Sequence, residues 1–223
     1  MCPTESISLA TIDVEFDGAV ATLWLNRPAV RNALSRQLVT DLGESLELVA
    51  ARREIGALVL AGRGEAFCAG ADLREIGSLL ADDAVQLELE GAAILDRLAA
   101  LPIVTVAALH GFAVGGGFSL SLYCDVRIAA EGCRLGFPPA ARHWLPPWGL
   151  AQLAGWVGVA RAQQIVLAGG MFDTKQAERW GLLERVVPRD ALFSTAASLA
   201  AELSSTRREV VAEVRSFFGQ LRG

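Results

Sequence analysis

A chain of 223 residues, 52% hydrophobic and 20% charged, has the length of one domain with a sizeable core. Its mean hydropathy of +0.38 and its lack of low-complexity runs exclude a largely disordered protein. The net charge of −5 leaves no basic field to attract nucleic acid or an anionic membrane.

In chain order, 8–16 and 20–25 read as strands joined by a turn at Asp17-Gly18. Asn26-Arg27-Pro28 breaks the second strand. Ser35 then stands as the N-cap of a helix to about 51, with Leu38, Val39, Leu42, Leu46 and Val49 at helical spacing. The uncharged run 57–61 predicts a strand buried on both faces. A glycine-bearing loop follows over 62–70, and a helix opens at Ala71. An amphipathic helix covers 82–100. The stretch from Leu98 to Cys124 carries no charge and is long enough to span a bilayer. Pro102, His110-Gly111 and the triplet Gly115-Gly116-Gly117 break it, so it reads as a buried strand 103–109, a glycine turn and a short helix 116–123. Strands over 125–130 and 134–136, a mostly helical 150–168, a short helix 174–180 and a strand 183–187 come next. Two helices fill 189–223. This alternation means an α/β core in one domain, 1–223, with 1–188 as the core and 189–223 as C-terminal helices.

The N-terminal Met1-Cys2-Pro3-Thr4-Glu5 has neither a basic nor an apolar leader region, so no secretory signal is expected. Cys2, Cys68, Cys124 and Cys133 show no C-x-x-C spacing, and His110 and His143 are the only histidines, so no zinc site is expected. Scattered thiols in a chain of this size fit a reducing compartment, with the cytoplasm as the expectation.

Two loops stand apart from the scaffold. Phe67-Cys68-Ala69-Gly70-Ala71-Asp72 leaves a buried strand through small residues and enters a helix. Gly111-Phe112-Ala113-Val114-Gly115-Gly116-Gly117 makes a second strand-to-helix turn. Neither has dinucleotide or P-loop spacing. One glycine cluster alone is as well explained by tight packing of strand on helix. Two of them, each after a buried strand, could aim paired amide donors at one carbonyl oxygen, the arrangement of an oxyanion hole.

Here the sequence resembles the crotonase family, the enoyl-CoA hydratase/isomerase superfamily. Val106-Ala107-Ala108-Leu109-His110-Gly111, then Gly115-Gly116-Gly117, then Leu122-Tyr123-Cys124-Asp125-Val126 fit its signature. Asn26-Arg27-Pro28 with Arg31-Asn32-Ala33-Leu34-Ser35 resembles its CoA-contact segment. Gly181-Leu182-Leu183-Glu184-Arg185-Val186-Val187 resembles its late helix-to-strand turn. The resemblance runs over roughly 10–190 and implies a ββα superhelix that binds acyl-CoA, with coenzyme A as part of the substrate and no separate cofactor. It implies that the amides of Ala71 and Gly116 are the oxyanion donors. Arg31, Ala33, Ala69, Gly70, Asp72 and Gly115 are implied, with those two, to contact the substrate. It also implies a homotrimer. Family members continue some tens of residues past the position of Leu221, so a shortened C-terminal helical region is expected. The acyl end is then open, closed by another element, or completed by a partner acyl-thioester enzyme.

The family's hydratases use two glutamates, and both positions differ here. The first is Ser119 and the second, after Leu135-Gly136-Phe137-Pro138, is Pro139. Neither can act as a carboxylate base, and a serine hydroxyl without an activator is a poor one. His143 offers a replacement base if it faces the cavity; a histidine on a helix end or the surface is the plainer reading. Trp144 and Trp148 read as packing or pocket walls. Asp72 reads as a helix cap and Glu75 as part of a solvated helix face. Standard hydration is therefore not expected. Two readings remain: an acyl-CoA enzyme that needs only the oxyanion hole, such as a decarboxylase, and a non-catalytic acyl-CoA binder or partner subunit. A purely structural module does not account for the two loops.

Overall fold

The structure, a computed structural model, describes residues 5–77, 79–137 and 148–220. A seven-stranded sheet forms the centre. Its strands are β1 (Glu5–Ser8), β2 (Ile12–Asp17), β3 (Val20–Leu25), β4 (Ala57–Gly62), β5 (Val104–Leu109), β7 (Val126–Ala130) and β10 (Arg185–Val187), lying side by side in that order. The first three pair antiparallel and the rest parallel. A smaller sheet sets β8 (Arg134–Phe137) between β6 (Phe112–Val114) and β9 (Gly170–Asp173).

The central strands are apolar without alternation because both faces of the sheet are covered. Leu58, Leu60, Ala107 and Leu109 join one core with α1 (Arg36–Ala51), whose Leu38, Leu42, Leu46 and Val49 point inward. The intervening Ala57, Val59, Ala61, Val106 and Ala108 meet α8 (Leu192–Leu203) on the other face, through Leu192, Ala196 and Ala200 at four-residue spacing. Each large aliphatic side chain so buried contributes about 1.5–3 kcal/mol.

The remaining helices among the described residues are α2 (Leu73–Ile76), α3 (Ala81–Ala100), α4 (Gly116–Leu122), α5 (Leu150–Val157), α6 (Val159–Ala168), α7 (Thr174–Arg179) and α9 (Arg208–Gln220). Ser35 caps α1, its Oγ accepting the Leu38 N–H at 3.2 Å. The uncharged run 98–124 holds the end of α3, then β5, β6 and α4, and no described helix is long and apolar enough to cross a membrane.

Four sequence expectations are corrected. The strand expected over 8–16 is two, β1 and β2. The turn between them is pinned by Asp41, which accepts the Thr11 N–H at 2.7 Å and the Thr11 hydroxyl at 2.6 Å from thirty residues away. The helix at Ala71 starts at Leu73 and lasts one turn. The helical region 150–168 is two helices divided at Gly158. Finally, β6 and β9 are strands too short to show a period; each exists because β8 supplies its hydrogen bonds.

Candidate functional site

The site grows from the segment 27–34. Pro28–Val30 make one 3-10 turn, after which Arg31 (φ 51°) and Asn32 (φ 56°) both take the left-handed conformation. Asparagine tolerates that conformation better than most residues. The double turn drives the Asn32 side chain inward to complete burial. Its Nδ2 donates to the carbonyls of Ala66 (2.8 Å), Arg63 (3.0 Å) and Phe67 (3.1 Å), and its Oδ1 accepts the Arg27 N–H at 2.8 Å. One side chain thus shapes the loop leaving β4.

The same segment templates the next residues as a strand would. Ala69 N–H donates to Arg31 O (2.9 Å), Leu34 N–H to Gly70 O (2.8 Å) and Asp72 N–H to Leu34 O (2.9 Å), giving a parallel bridge between Leu34 and Ala71. In such a bridge Leu34 bonds the two neighbours of Ala71, so the N–H of Ala71 itself points the other way. Among the described residues nothing accepts it. On that far side lies the second loop, joined by Cys68 N–H to Phe112 O (2.9 Å) and Val114 N–H to Cys68 O (3.0 Å).

Two glycines let the loops close on each other. Gly70 has φ +87°, and a Cβ there would stand 2.7 Å from Val114 O and 3.5 Å from the Gly116 nitrogen. A Cβ on Gly117 would meet the Cys68 carbonyl at 2.5 Å. Gly115, at φ 54°, turns β6 into α4. Gly116 is the first residue of that helix, so its N–H has no intrahelical acceptor, and no described residue takes it. Two amide donors with no acceptor among the described residues, at Ala71 and Gly116, therefore sit on apposed loops. Ala69 and Ala71 are exposed and Gly115 and Gly116 half-buried, so the edge they form is accessible.

The other residues singled out from the sequence take definite places. Asp72 caps α2 and receives both guanidinium nitrogens of Arg27 at 3.0 Å. Burial raises its carboxyl pKa, but the Arg27 hydrogen bond and the N–H groups of Glu75 and Arg74 outweigh that and hold it below the usual carboxylate range. Ala33 is buried, with its carbonyl taken by Arg27, whereas Arg31 is exposed with its guanidinium 5.3 Å above the Phe112 ring. Glu75 is more than a solvated charge: its carboxylate accepts the Arg36 N–H at the start of α1. Ser119 is 1% exposed and its hydroxyl donates to Trp148 O at 2.9 Å; among the described residues its bonds include no base. Pro139 and His143 lie outside the described residues. Burial pushes the thiols of Cys68, Cys124 and Cys133 up to about 12, which keeps them protonated and unreactive. Among the described residues no group of three or more His, Cys, Asp or Glu is placed to hold a metal. One cavity of about 430 Å³ opens at the far end of α4, beside Tyr123, Trp156 and Phe218, and neither Ala71 nor Gly116 lines it.

His110 faces α8, away from the paired amides. It is fully buried against Phe193 with Nε2 at 3.1 Å from Gly64 O, while Nδ1 has no partner among the described residues. Burial first, then the charge of Arg189, lower its pKa from 6.5 to about 4, against a smaller raising effect of the Gly64 carbonyl. The unfolded chain takes up this proton near pH 6.5 and the native chain only near 4. Stability is therefore expected to fall as pH drops through that window and to level off below it, a loss approaching about 3 kcal/mol. Denaturant midpoints at pH 7 and pH 4.5 for wild type and His110→Phe check this; the variant is expected to show the shallower pH slope, and equal slopes contradict the assignment.

Sequence reasoning missed Asn32 as an organiser. The signal was an asparagine directly after a Pro-initiated turn, where a left-handed residue is favoured.

The chain is similar to known proteins in both sequence and fold. Residues 15–220 match the family described as enoyl-CoA hydratase/isomerase. The probable enoyl-CoA hydratase echA8 of Mycobacterium tuberculosis is 38% identical over 195 residues, 87% of this chain and 75% of that protein. The 2,3-dehydroadipyl-CoA hydratase of Escherichia coli is 37% identical over 186 residues, 83% of this chain and 72% of the relative. Among solved structures, an enoyl-CoA hydratase/carnithine racemase from Magnetospirillum magneticum superposes with a TM-score of 0.90 at 32% identity, covering 97% of this chain and 82% of that one. A Thermobifida fusca protein of the enoyl-CoA hydratase type, solved in complex with CoA, gives 0.84 at 28% identity, covering 95% and 85%.

Proposed function

The chain belongs to the enoyl-CoA hydratase/isomerase family, and from that premise we propose that it binds an acyl-CoA thioester and polarises its carbonyl between the N–H groups of Ala71 and Gly116. The supporting observation is that these two donors, on apposed loops, have no acceptor among the described residues. A thioester oxygen gains negative charge as an enolate forms, and a fixed donor aimed at it is worth about 3 kcal/mol. Exposed Arg31 supplies a cation suited to the phosphates of coenzyme A.

The chemistry we favour uses no protein carboxylate. Ser119 and Pro139 stand where the family's hydratases carry glutamates, and the Ser119 hydroxyl is spent on Trp148 O. Decarboxylation suits such a site: the C–C bond to the carboxylate breaks, its electron pair enters the enolate, carbon dioxide leaves, and solvent supplies the proton. The same commitment of Ser119 also favours a second reading, a non-catalytic acyl-CoA binder or a partner subunit of another acyl-thioester enzyme.

Calorimetric titration with crotonyl-CoA and malonyl-CoA, followed by mass spectrometry of the same samples, tests both. Saturable binding is expected, with loss of carbon dioxide from malonyl-CoA if the chain is a catalyst and unchanged thioesters if it is a binder. Ala71→Pro deletes one donor and fills its place, so affinity or rate should drop about a hundredfold. Wild-type binding that survives this change undiminished excludes Ala71 from the site, and rapid hydration of crotonyl-CoA overturns the carboxylate-free reading.

A further inference from the structure

We propose that Trp148 is the acyl gauge of this site, a fixed indole wall beside the Gly116 donor that admits small unbranched acyl groups and turns away branched or aromatic ones. The inference rests on the reading of Ala71 and Gly116 as the thioester-binding amides.

The position of the ring is over-determined. Gly91 lies within the 20-residue helix α3, where a glycine costs about 1 kcal/mol relative to alanine. A Cβ there would come within 2.2 Å of Cζ2 and 2.6 Å of Cη2 of Trp148, so the helix keeps a glycine to seat the indole. The opposite side of the same six-membered ring reaches Gly116, where a Cβ would stand 3.4 Å from Cζ3 and 3.8 Å from Cε3. The indole Nε1–H donates to Glu88 O at 2.9 Å and fixes the tilt, while the Trp148 carbonyl accepts the Ser119 hydroxyl and fixes the base. The ring therefore bridges α3 and the first residue of α4, held at both ends.

Leu34 stands beside the same glycine, its Cδ1 only 2.7 Å from the Cβ position on Gly116. A carbonyl accepting from the Gly116 N–H thus has its acyl chain beside a leucine methyl and an immobile aromatic face. A flat, narrow chain lies against such a wall, whereas a branch at the α carbon or a phenyl ring meets it. Because the ring is locked by hydrogen bonds at its edge and its backbone, it does not swing away as a free surface side chain does.

The test uses the full chain as wild type, Trp148→Ala and Trp148→Phe, titrated calorimetrically with crotonyl-CoA, isobutyryl-CoA and benzoyl-CoA. The Ser119 bond is to the main-chain carbonyl and is retained in both variants. Wild type is expected to prefer crotonyl-CoA. Trp148→Ala is expected to raise the ratio of bulky to crotonyl-CoA affinities about tenfold, the discrimination one or two carbons command in an apolar pocket. Trp148→Phe should fall between. If the alanine variant does not fold by circular dichroism and thermal melting, the phenylalanine variant carries the test, and its ratio of bulky to small affinities must still rise. A ratio that stays at the wild-type value while wild type binds crotonyl-CoA overturns the gauge and leaves the thioester reading standing. Failure of wild type to bind any of the three overturns the thioester reading and the gauge with it.

Discussion

Asn32→Ala is expected to cost about 4 kcal/mol and to abolish acyl-CoA binding at concentrations where wild type is saturated. The asparagine is fully buried, and its amide serves the carbonyls of Arg63, Ala66 and Phe67 while its oxygen takes the Arg27 N–H. Alanine leaves these buried groups without their partner, and each costs about 1–3 kcal/mol. It also loses one of the few non-glycine residue types that accept φ 56° readily. The loop so released carries Ala71, whose outward N–H depends on the bridge between Leu34 and the neighbours of Ala71. Asn32→Asp keeps the shape and the acceptor but turns a carboxylate oxygen toward three carbonyls, so it should be as damaging. Urea unfolding of both variants, with thioester binding measured at 15 °C to favour the folded state, decides the matter. A loss below about 1 kcal/mol for either would remove Asn32 from its organising place.

Arg215→Ala is expected to cost about 3 kcal/mol and to detach α9. The guanidinium donates to the Asp125 carboxylate and to the carbonyls of Ala99, Leu101 and Ile103. Ala99 and Leu101 stand at the end of α3, where helix carbonyls lack intrahelical partners and the local field favours a cation. Arg215 therefore caps α3 from another helix and pairs with Asp125 in one fork. Removing it strands several carbonyls and part of a carboxylate that, among the described residues, Thr105 then serves by itself. Arg215→Lys should recover little, because a single ammonium cannot span the same set. The readouts are the denaturation midpoint and limited proteolysis, with the first new cut expected within 208–220. Unchanged protease resistance of that helix contradicts the assignment.

The strands β2 to β5, the helix α1 with its Ser35 cap, and the burial of the uncharged run 98–124 were legible because each is decided by neighbours close in sequence. Alternation, helical spacing, a capping serine and an Asp-Gly turn are local signals, and they describe the elements well. The two glycine loops were legible as positions too, since a run of small residues after an apolar strand has few uses. What the sequence did not disclose were the partners: Asp41 pinning Thr11, Glu75 receiving the Arg36 N–H, Asp72 clasped by Arg27, and Trp148 resting on Gly91. These pairs lie 30 to 57 residues apart, and no periodicity connects them.

The sequence by itself therefore determined an α/β core, its order of elements, and two loops of small residues able to approach a ligand closely. Only the tertiary structure decided which amides are free. Whether an N–H is a donor for a ligand depends on whether another strand has already taken it, and Leu34 takes the neighbours of Ala71 but not Ala71 itself. Only the packing of Trp148 across Gly91 and Gly116 decided what stands beside the Gly116 donor, because a side chain's reach becomes a wall only when distant backbones are brought against it.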